Sequence, residues 1–430
     1  MNLGATLRKQ LRWAWGSGSG GTAFLLMASV ANGLQFIYQV SMARLLQPDQ
    51  YTQLLALVSF VTILLFPGHA FQSAVAVGAG ALAAARQRAA VWSFALRANA
   101  VGAGTALAVS ILLALLSEQL REVFGFESNW VLVPLLCILP LSLVLATARG
   151  AVQGMARFIA LGINLLVDAS ARVLLAIGLV VAGFGLTGAL SGFSLGIVAG
   201  IGLGIWVLRP RGGDQAPANP NLGALLLTQL GTVPATFAIF GAQSVDVIIA
   251  NWRFPGAGLE PFVAAAFAGR ISFYGCFTVG QLLLPRFRDM FGEGRLDRNL
   301  LLRGSLAAAA IAAGPLLAAL VAPGFLHLAL VGPNYAADAG LLQIYLGGAT
   351  LLSIALYLVY MLIAAGVRWI AWVLVPAAAL QTAGYLFVAE SAYDLAVILL
   401  ASAGLMCIAC AIAAATLLRE RAALAAKMRS

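Results

Sequence analysis

Apolar segments of about 20–28 residues recur along the whole chain, and nearly all charge is confined to the gaps between them. A helix rises about 1.5 Å per residue, so about 20 apolar residues cross roughly 30 Å of hydrocarbon. A backbone in lipid must satisfy its own hydrogen bonds, which leaves helices and closed barrels. Segments this long specify helices. They lie at 21–46, 51–80, 98–117, 129–150, 158–183, 186–208, 222–252, 260–285, 301–325, 338–366, 369–389 and 393–418. The pattern predicts an all-α polytopic membrane protein with about twelve transmembrane helices.

Composition agrees with that class. Of 430 residues, 62% are hydrophobic and 9% charged, where a soluble domain carries about 25% charged residues. The 46 glycines suit helices that pack at close approach. The formal charge of +10 is spread over many short loops instead of one basic face, which argues against a nucleic-acid partner. The cysteines, Cys137, Cys276, Cys407 and Cys410, lie in apolar runs and read as small buried hydrophobes. His69 and His327 are far apart, and no metal site follows from them. No P-loop, G-x-S-x-G or H-E-x-x-H occurs, so neither nucleotide hydrolysis nor a known hydrolytic centre is indicated. The chain reads as not being an enzyme.

Orientation follows from Lys and Arg, which favour cytoplasmic loops. One set of gaps carries Arg8, Lys9 and Arg12, then Arg86, Arg88 and Arg97, then Arg149 and Arg157, then Arg209 and Arg211. It continues with Arg286, Arg288, Arg295, Arg298 and Arg303, then Arg368, then Arg419, Arg421, Lys427 and Arg429. The other set holds only Arg44, Arg121 and Arg253, with most of the acids, including Asp49, Glu118, Glu122, Glu127, Glu260 and Asp394. The alternation runs through all twelve segments and places both termini in the cytoplasm. Residues 209–221 are polar and rich in Pro and Gly, a linker composition. They divide the chain into an N-terminal lobe, 1–208, and a C-terminal lobe, 222–430, of six helices each. Gln39 and Gln72 in the first half stand opposite Asp246 and Gln281 in the second, as parallel repeats would place them.

Ionised groups within such segments cost about 2.5–3.5 kcal/mol each on insertion scales, and they usually face the bundle interior or a hydrated path. Segment five places Asn164, Asp168 and Arg172 at i, i+4 and i+8, on one helix face. Asp before Arg at i, i+4 is the favourable order for an intrahelical pair. Both charges fall near the midplane, about 15 and 21 Å from the cytoplasmic end. Asp246 and Arg270 form a second set on neighbouring segments, where Asp246 either holds Arg270 or leaves it free for an anion. Gln35, Gln39, Gln72 and Gln243 add amides that suit sugar hydroxyls as well as plain interhelical bonds. Gly188, Gly192, Gly196, Gly200 and Gly204 repeat every fourth residue and predict a flat packing strip. Pro67, Pro134, Pro140, Pro234, Pro315 and Pro376 interrupt segments and permit kinks. Buried charge on a many-span frame points to a transporter.

Several short stretches resemble one family. SMARLLQPDQY at 41–51 resembles the ARxLGPxxYG loop of Wzx-type polysaccharide flippases, with Gln47 and Thr52 where glycine is usual. RGAVQGMARF at 149–158 resembles their RGxLQGxxRF turn. DVIIA at 246–250, AFAGRI at 266–271, LPRF at 284–287 and GPNY at 332–335 are similar to later family stretches, in family order. These flippases belong to the multidrug/oligosaccharidyl-lipid/polysaccharide (MOP) exporter superfamily. The resemblance implies two six-helix lobes around a central cavity with alternating access. It implies a bacterial inner-membrane protein that moves a lipid-linked oligosaccharide, usually on undecaprenyl pyrophosphate, to the outer leaflet. Partners would be that lipid, the bilayer and other polysaccharide-assembly proteins. Arg270 and Arg172 would meet the anionic ligand, with Asp168, Asp246, Asn164, Gln35, Gln39, Gln72 and Gln243 lining the cavity. No cofactor is implied, though Na⁺ or H⁺ coupling is open.

Two other readings compete. A cation-coupled multidrug exporter of the same superfamily would bind its ion at Asp168 or Asp246. A polysaccharide polymerase or ligase would need a large outer loop, and the longest here, about 116–129, is short. The topology is tested by fusing alkaline phosphatase after Ser430. The fusion should stay inactive in cells that activate the enzyme only in the periplasm, and strong activity would reverse the orientation or show an odd span count.

Overall fold

A computed structural model describes residues 19–85, 87–126, 128–209, 220–229, 233–254, 259–294, 296–333, 335 and 338–427. The expected charges Arg8, Lys9, Arg12, Arg86, Glu127, Arg211, Arg295 and Arg429 lie outside the described residues, as do Asn334 and most of the 209–221 linker. Among the described residues there is no strand. The described residues form fifteen α-helices, in order α1 (Ser19–Leu45), α2 (Pro48–Ala84), α3 (Arg88–Leu115), α4 (Ser117–Phe124), α5 (Leu132–Gly154), α6 (Phe158–Leu179), α7 (Gly185–Leu208), α8 (Leu222–Gln229), α9 (Val233–Arg253), α10 (Glu260–Gly292), α11 (Arg298–Val321), α12 (Pro323–Leu330), α13 (Ala339–Ala364), α14 (Ala371–Phe387) and α15 (Ala392–Lys427). Twelve of them have 17 residues or more and match the twelve expected segments.

Among the described residues nine stretches are long and apolar enough to cross a membrane. One of these, Phe158–Leu208, holds both α6 and α7, and Ala371–Phe387 is a shorter apolar helix. A π turn at Val180–Phe184 breaks the long stretch, where Gly183 (φ 93°) and Gly185 (φ 47°) take backbone conformations open mainly to glycine. Large apolar side chains such as Leu174, Val321, Trp372 and Phe387 lie exposed. In a spanning chain that surface faces lipid, so its exposure is no defect.

The helices form two compact units. One comprises residues up to Leu46 with Leu64–Arg121 and Phe126–Leu230; the other comprises Gln47–Ile63, Glu122–Gly125 and Gly231 onward. In the first unit α6 packs on α1 and α7, and α5 packs on α3 and α7. In the second, α13 packs on α10, α11 and α15, and α14 packs on α9 and α15.

Three differences from the sequence expectation have simple causes. The segment expected at 222–252 is two helices. Leu222, Leu225 and Leu226 of α8 cover a core of Phe71, Val75, Phe94 and neighbours in the first unit, and Pro234 stands in the first turn of α9. Pro134 likewise sits in the first turn of α5. At those positions proline removes no intrahelical bond, so Pro134 and Pro234 begin helices and do not interrupt them. Pro67, Pro140, Pro315 and Pro376 are inside helices as expected. Helices α10 and α15 run past their apolar stretches to carry Arg286, Arg288, Arg419 and Arg421. Hydropathy marks the hydrocarbon crossing, not the end of the helix.

The glycine strip of α7 is a close packing seam of the first unit. A Cβ at Gly192 would stand 2.4 Å from the backbone of Ala176, and one at Gly196 would stand 2.8 Å from Arg172 Cβ and Asp168 O. At Gly204 it would stand 2.7 Å from Ala148 Cβ of α5. Gly192→Ala should therefore destabilise the protein by about 1–3 kcal/mol, as overpacking does. Gly202 faces open space, so Gly202→Ala should be neutral or stabilise by up to about 1 kcal/mol. Thermal unfolding of the two variants in detergent checks the contrast.

Candidate functional site

Each unit holds one cluster of polar side chains among apolar helices. In the first unit, Asn164, Asp168 and Arg172 share one face of α6 and all three are buried. That face meets the glycine strip. The missing side chains at Gly196 and Gly200 let α7 lie against the backbone of Asp168 and Arg172 and the side chain of Asn164. Asn164 donates from Nδ2 to the Gly200 carbonyl at 2.6 Å. Arg172 Nη2 donates to Asp168 Oδ1 at 2.9 Å, the expected i, i+4 pair. The Arg172 guanidinium lies over the Phe193 ring, 3.7 Å from its centroid, a favourable cation–π placement. Phe193 in turn meets Tyr38 of α1 edge-on, and Tyr38 Oη donates to the Ala189 carbonyl at 3.1 Å.

The second oxygen of Asp168 has a partner that sequence reasoning missed. Arg149 of α5 donates from Nη2 to Asp168 Oδ2 at 2.7 Å and from Nε to Asn164 Oδ1 at 2.8 Å. The charge alternation had counted Arg149 among cytoplasmic loop charges. Instead it lies inside α5, because that helix runs on to Gly154. The signal was present: α5 and α6 form a hairpin about residues 155–157, and folding the sequence there brings 149 opposite 164 and 168. Asp168 and Arg172 are therefore not a closed pair. They belong to a triad of two guanidiniums and one carboxylate.

In the second unit Asp246 of α9 is fully buried. Its Oδ1 accepts from the Val247 N–H at 2.7 Å, and its Oδ2 accepts from Tyr345 Oη of α13 at 2.5 Å. Arg270 of α10 is close enough for its charge to act on Asp246, yet the two form no ion pair. Arg270 Nη2 donates to Ser59 Oγ of α2, whose first half belongs to this unit. Among the described residues Arg270 has no carboxylate partner. Gln243, one turn before Asp246, is 2% exposed, and both atoms of its amide lack a protein partner. Beside it, Gln381 of α14 donates to the Ala242 carbonyl and to Tyr385 Oη, and accepts from Ser402 Oγ. Tyr345 and Gln381 carried no sequence signal, since a lone aromatic or amide in an apolar run reads as packing.

The remaining expected residues are more dispersed. Gln35 and Gln39 are half-buried on α1, and Gln39 Oε1 has no protein partner. Gln72 of α2 donates to Gln153 Oε1 of α5 at 3.2 Å. The structure thus joins Asn164, Asp168 and Arg172 in one cluster and gathers Asp246, Gln243 and Arg270 in the other. Among the described residues no hydrogen bond joins Gln35, Gln39 or Gln72 to either cluster.

No protein-family model matches the chain, and no curated protein matches it. Solved structures do. A multidrug resistance MATE family transporter of the MOP superfamily in an inward-facing conformation aligns with TM-score 0.71 at 14% identity, over 98% of both chains. The outward-facing conformation of a transporter so described aligns at TM-score 0.62 and 15% identity, over 96% of this chain and 98% of that one. The chain shares the fold of these transporters. A third match is a MOP superfamily transporter from Pyrococcus furiosus, whose description reports a binding pocket of reversed polarity that suggests a different function. It aligns at TM-score 0.65 and 14% identity, over 96% of this chain and 98% of that one. The likeness of fold covers nearly the whole chain, and the charge of its buried clusters is a matter for its own residues.

Proposed function

We propose that the protein moves a lipid-linked oligosaccharide, of the undecaprenyl-pyrophosphate type, from the cytoplasmic to the outer leaflet by alternating access. The observation that carries this reading is Arg270, a buried guanidinium whose one hydrogen-bond partner among the described residues is the neutral hydroxyl of Ser59. A guanidinium that is desolvated without a carboxylate gains most from an anionic ligand, and its planar fork matches phosphate oxygens in pairs. The unfilled amides of Gln243 and Gln39 suit sugar hydroxyls, which need both donors and acceptors. The motif resemblance at 41–51, 149–158, 246–250, 266–271, 284–287 and 332–335 supports the same reading. The protein would sit in the bacterial inner membrane with both termini in the cytoplasm and would act as a transporter, not an enzyme.

A cation-coupled multidrug exporter is the second reading, and the MATE transporters among the matching folds favour it equally. In that case Asp246, held by a hydroxyl and a backbone N–H, is the better cation ligand. Asp168 already has a guanidinium on each oxygen.

Surface glycan in cells carrying Arg270→Ala or Arg270→Lys at normal membrane abundance separates the readings. Arg270→Ala should abolish export. Arg270→Lys should restore it only in part, because an ammonium lacks the bidentate fork. Wild-type export by Arg270→Ala rules out the role.

A further inference from the structure

Where α6 begins and α7 ends, the first unit carries a cavity of about 420 Å³ that neither polar cluster uses. Phe158, Ile159 and Ile163 of α6 and Trp206 of α7 form its walls, and Arg157 lies in its lining. The volume falls within the range of about 300–1,000 Å³ of small-ligand sites, which set a few polar groups among mainly apolar walls. The local fold places the arginine there. At the end of α5 the Ala156 N–H donates to the Gln153 carbonyl at 2.9 Å and the Arg157 N–H to the Val152 carbonyl at 3.1 Å. Ala156 takes φ 56°, the left-handed conformation that this helix ending uses. The chain then enters α6 at Phe158. Arg157 Nη1 reaches the Val207 carbonyl in the last turn of α7 at 2.9 Å.

The cavity has apolar walls, a cation and an interfacial position. Phe158 leans on Phe24 of α1, with ring centroids 6.2 Å apart, yet Phe158, Ile159, Ile163 and Trp206 all stay exposed. In a spanning chain that surface faces lipid. Trp206 stands two residues from the end of α7, at the depth where aromatic side chains meet headgroups. A guanidinium has five N–H donors, and Val207 takes one of those of Arg157. Among the described residues no carboxylate pairs with Arg157. Arg209, exposed at the C-cap of α7, adds positive charge at the same end. The Lys and Arg pattern assigns this end to the cytoplasm, where the leaflet is anionic and attracts basic residues.

We infer that this cavity binds an anionic glycerophospholipid of the bilayer, with Arg157 on its phosphate, Trp206 beside the headgroup and Phe158, Ile159 and Ile163 along its acyl chains. The site lies apart from both buried clusters and does not depend on the cargo proposed above. A soluble phosphate would leave the apolar walls unused. A choline headgroup would bring its own cation against Arg157. A bound lipid would join the first turn of α6 to the last turn of α7, the two helices whose middles carry Asp168 and the glycine strip.

The test titrates dioctanoyl phosphatidylglycerol into the purified full chain in a neutral detergent and reads apparent affinity from the rise in melting temperature. Dioctanoyl phosphatidylcholine supplies tails without net charge, and glycerol 3-phosphate supplies charge without tails. Phosphatidylglycerol should bind the wild type more tightly than either. Arg157→Gln should weaken it about fivefold, the worth of one basic residue at an anionic surface. Ala160, also in the lining, allows a second variant. Ala160→Phe keeps every charge and fills the space, so it should weaken phosphatidylglycerol at least as much. Arg368→Gln removes an exposed charge of the second unit and should leave the affinity at the wild-type value. Ligand-free melting curves show that each variant is folded.

Equal affinity of wild type, Arg157→Gln and Ala160→Phe for phosphatidylglycerol overturns the site. A loss in Arg157→Gln alone, with Ala160→Phe at the wild-type value, overturns the cavity as its place. Equal losses in Arg157→Gln and Arg368→Gln overturn it too, because they mark a general attraction to surface charge. Phosphatidylcholine that binds as tightly overturns the anionic headgroup, and glycerol 3-phosphate that binds as tightly overturns the lipid.

Discussion

Hydrocarbon offers no hydrogen bonds, and every polar group placed in it must find a partner within the protein or carry a cost of several kcal/mol. The structure is organised by that constraint at Asp168. One carboxylate on α6 ties α5 to α6 through Arg149 and neutralises Arg172 on its own helix. The tie requires helices at close approach, and the glycines of α7 provide it by leaving no Cβ against Asp168 and Arg172. Packing and charge in the first unit are thus one arrangement. A side chain at Gly196 would push away the backbone that carries the triad.

The second unit answers the same constraint differently. Asp246 takes only neutral partners, Tyr345 and the Val247 N–H, while Arg270 takes the neutral Ser59. Acid and base lie near each other without joining, so each retains capacity for a further partner. Neighbouring Gln243 has an amide with no hydrogen-bond partner among the described residues. In most cores such a group is a defect. Under the proposed function it is where a polar cargo would bond.

Much of this was legible in the sequence, for physical reasons. Bilayer thickness fixes segment length, so twelve helices could be read from apolar runs with no knowledge of packing. Helical periodicity put Asn164, Asp168 and Arg172 on one face and the five glycines in one strip, and both appear as read. Partners from other helices were harder to see. Arg149 looked like a boundary charge because it stands one residue from the end of the expected segment at 150, whereas α5 runs on to Gly154. Tyr345, Gln381 and Ser59 stand far in sequence from the groups they hold, and no local pattern marks them. The break between α8 and α9 was also hidden, since Leu222–Gln229 is as apolar as the helix after it. Its packing against Phe71 and Phe94 of the first unit is a tertiary fact.

The central proposal is that the buried guanidiniums of this fold serve an anionic, lipid-linked cargo. Its most direct test is translocation in proteoliposomes that contain only the purified chain and a fluorescent undecaprenyl-pyrophosphate oligosaccharide. The fraction of label reached by an outside quencher should rise faster than in protein-free vesicles, and Arg270→Ala should remove that difference. A rate equal to that of protein-free vesicles, in a preparation that expels a cationic drug under a Na⁺ or H⁺ gradient, would contradict the account.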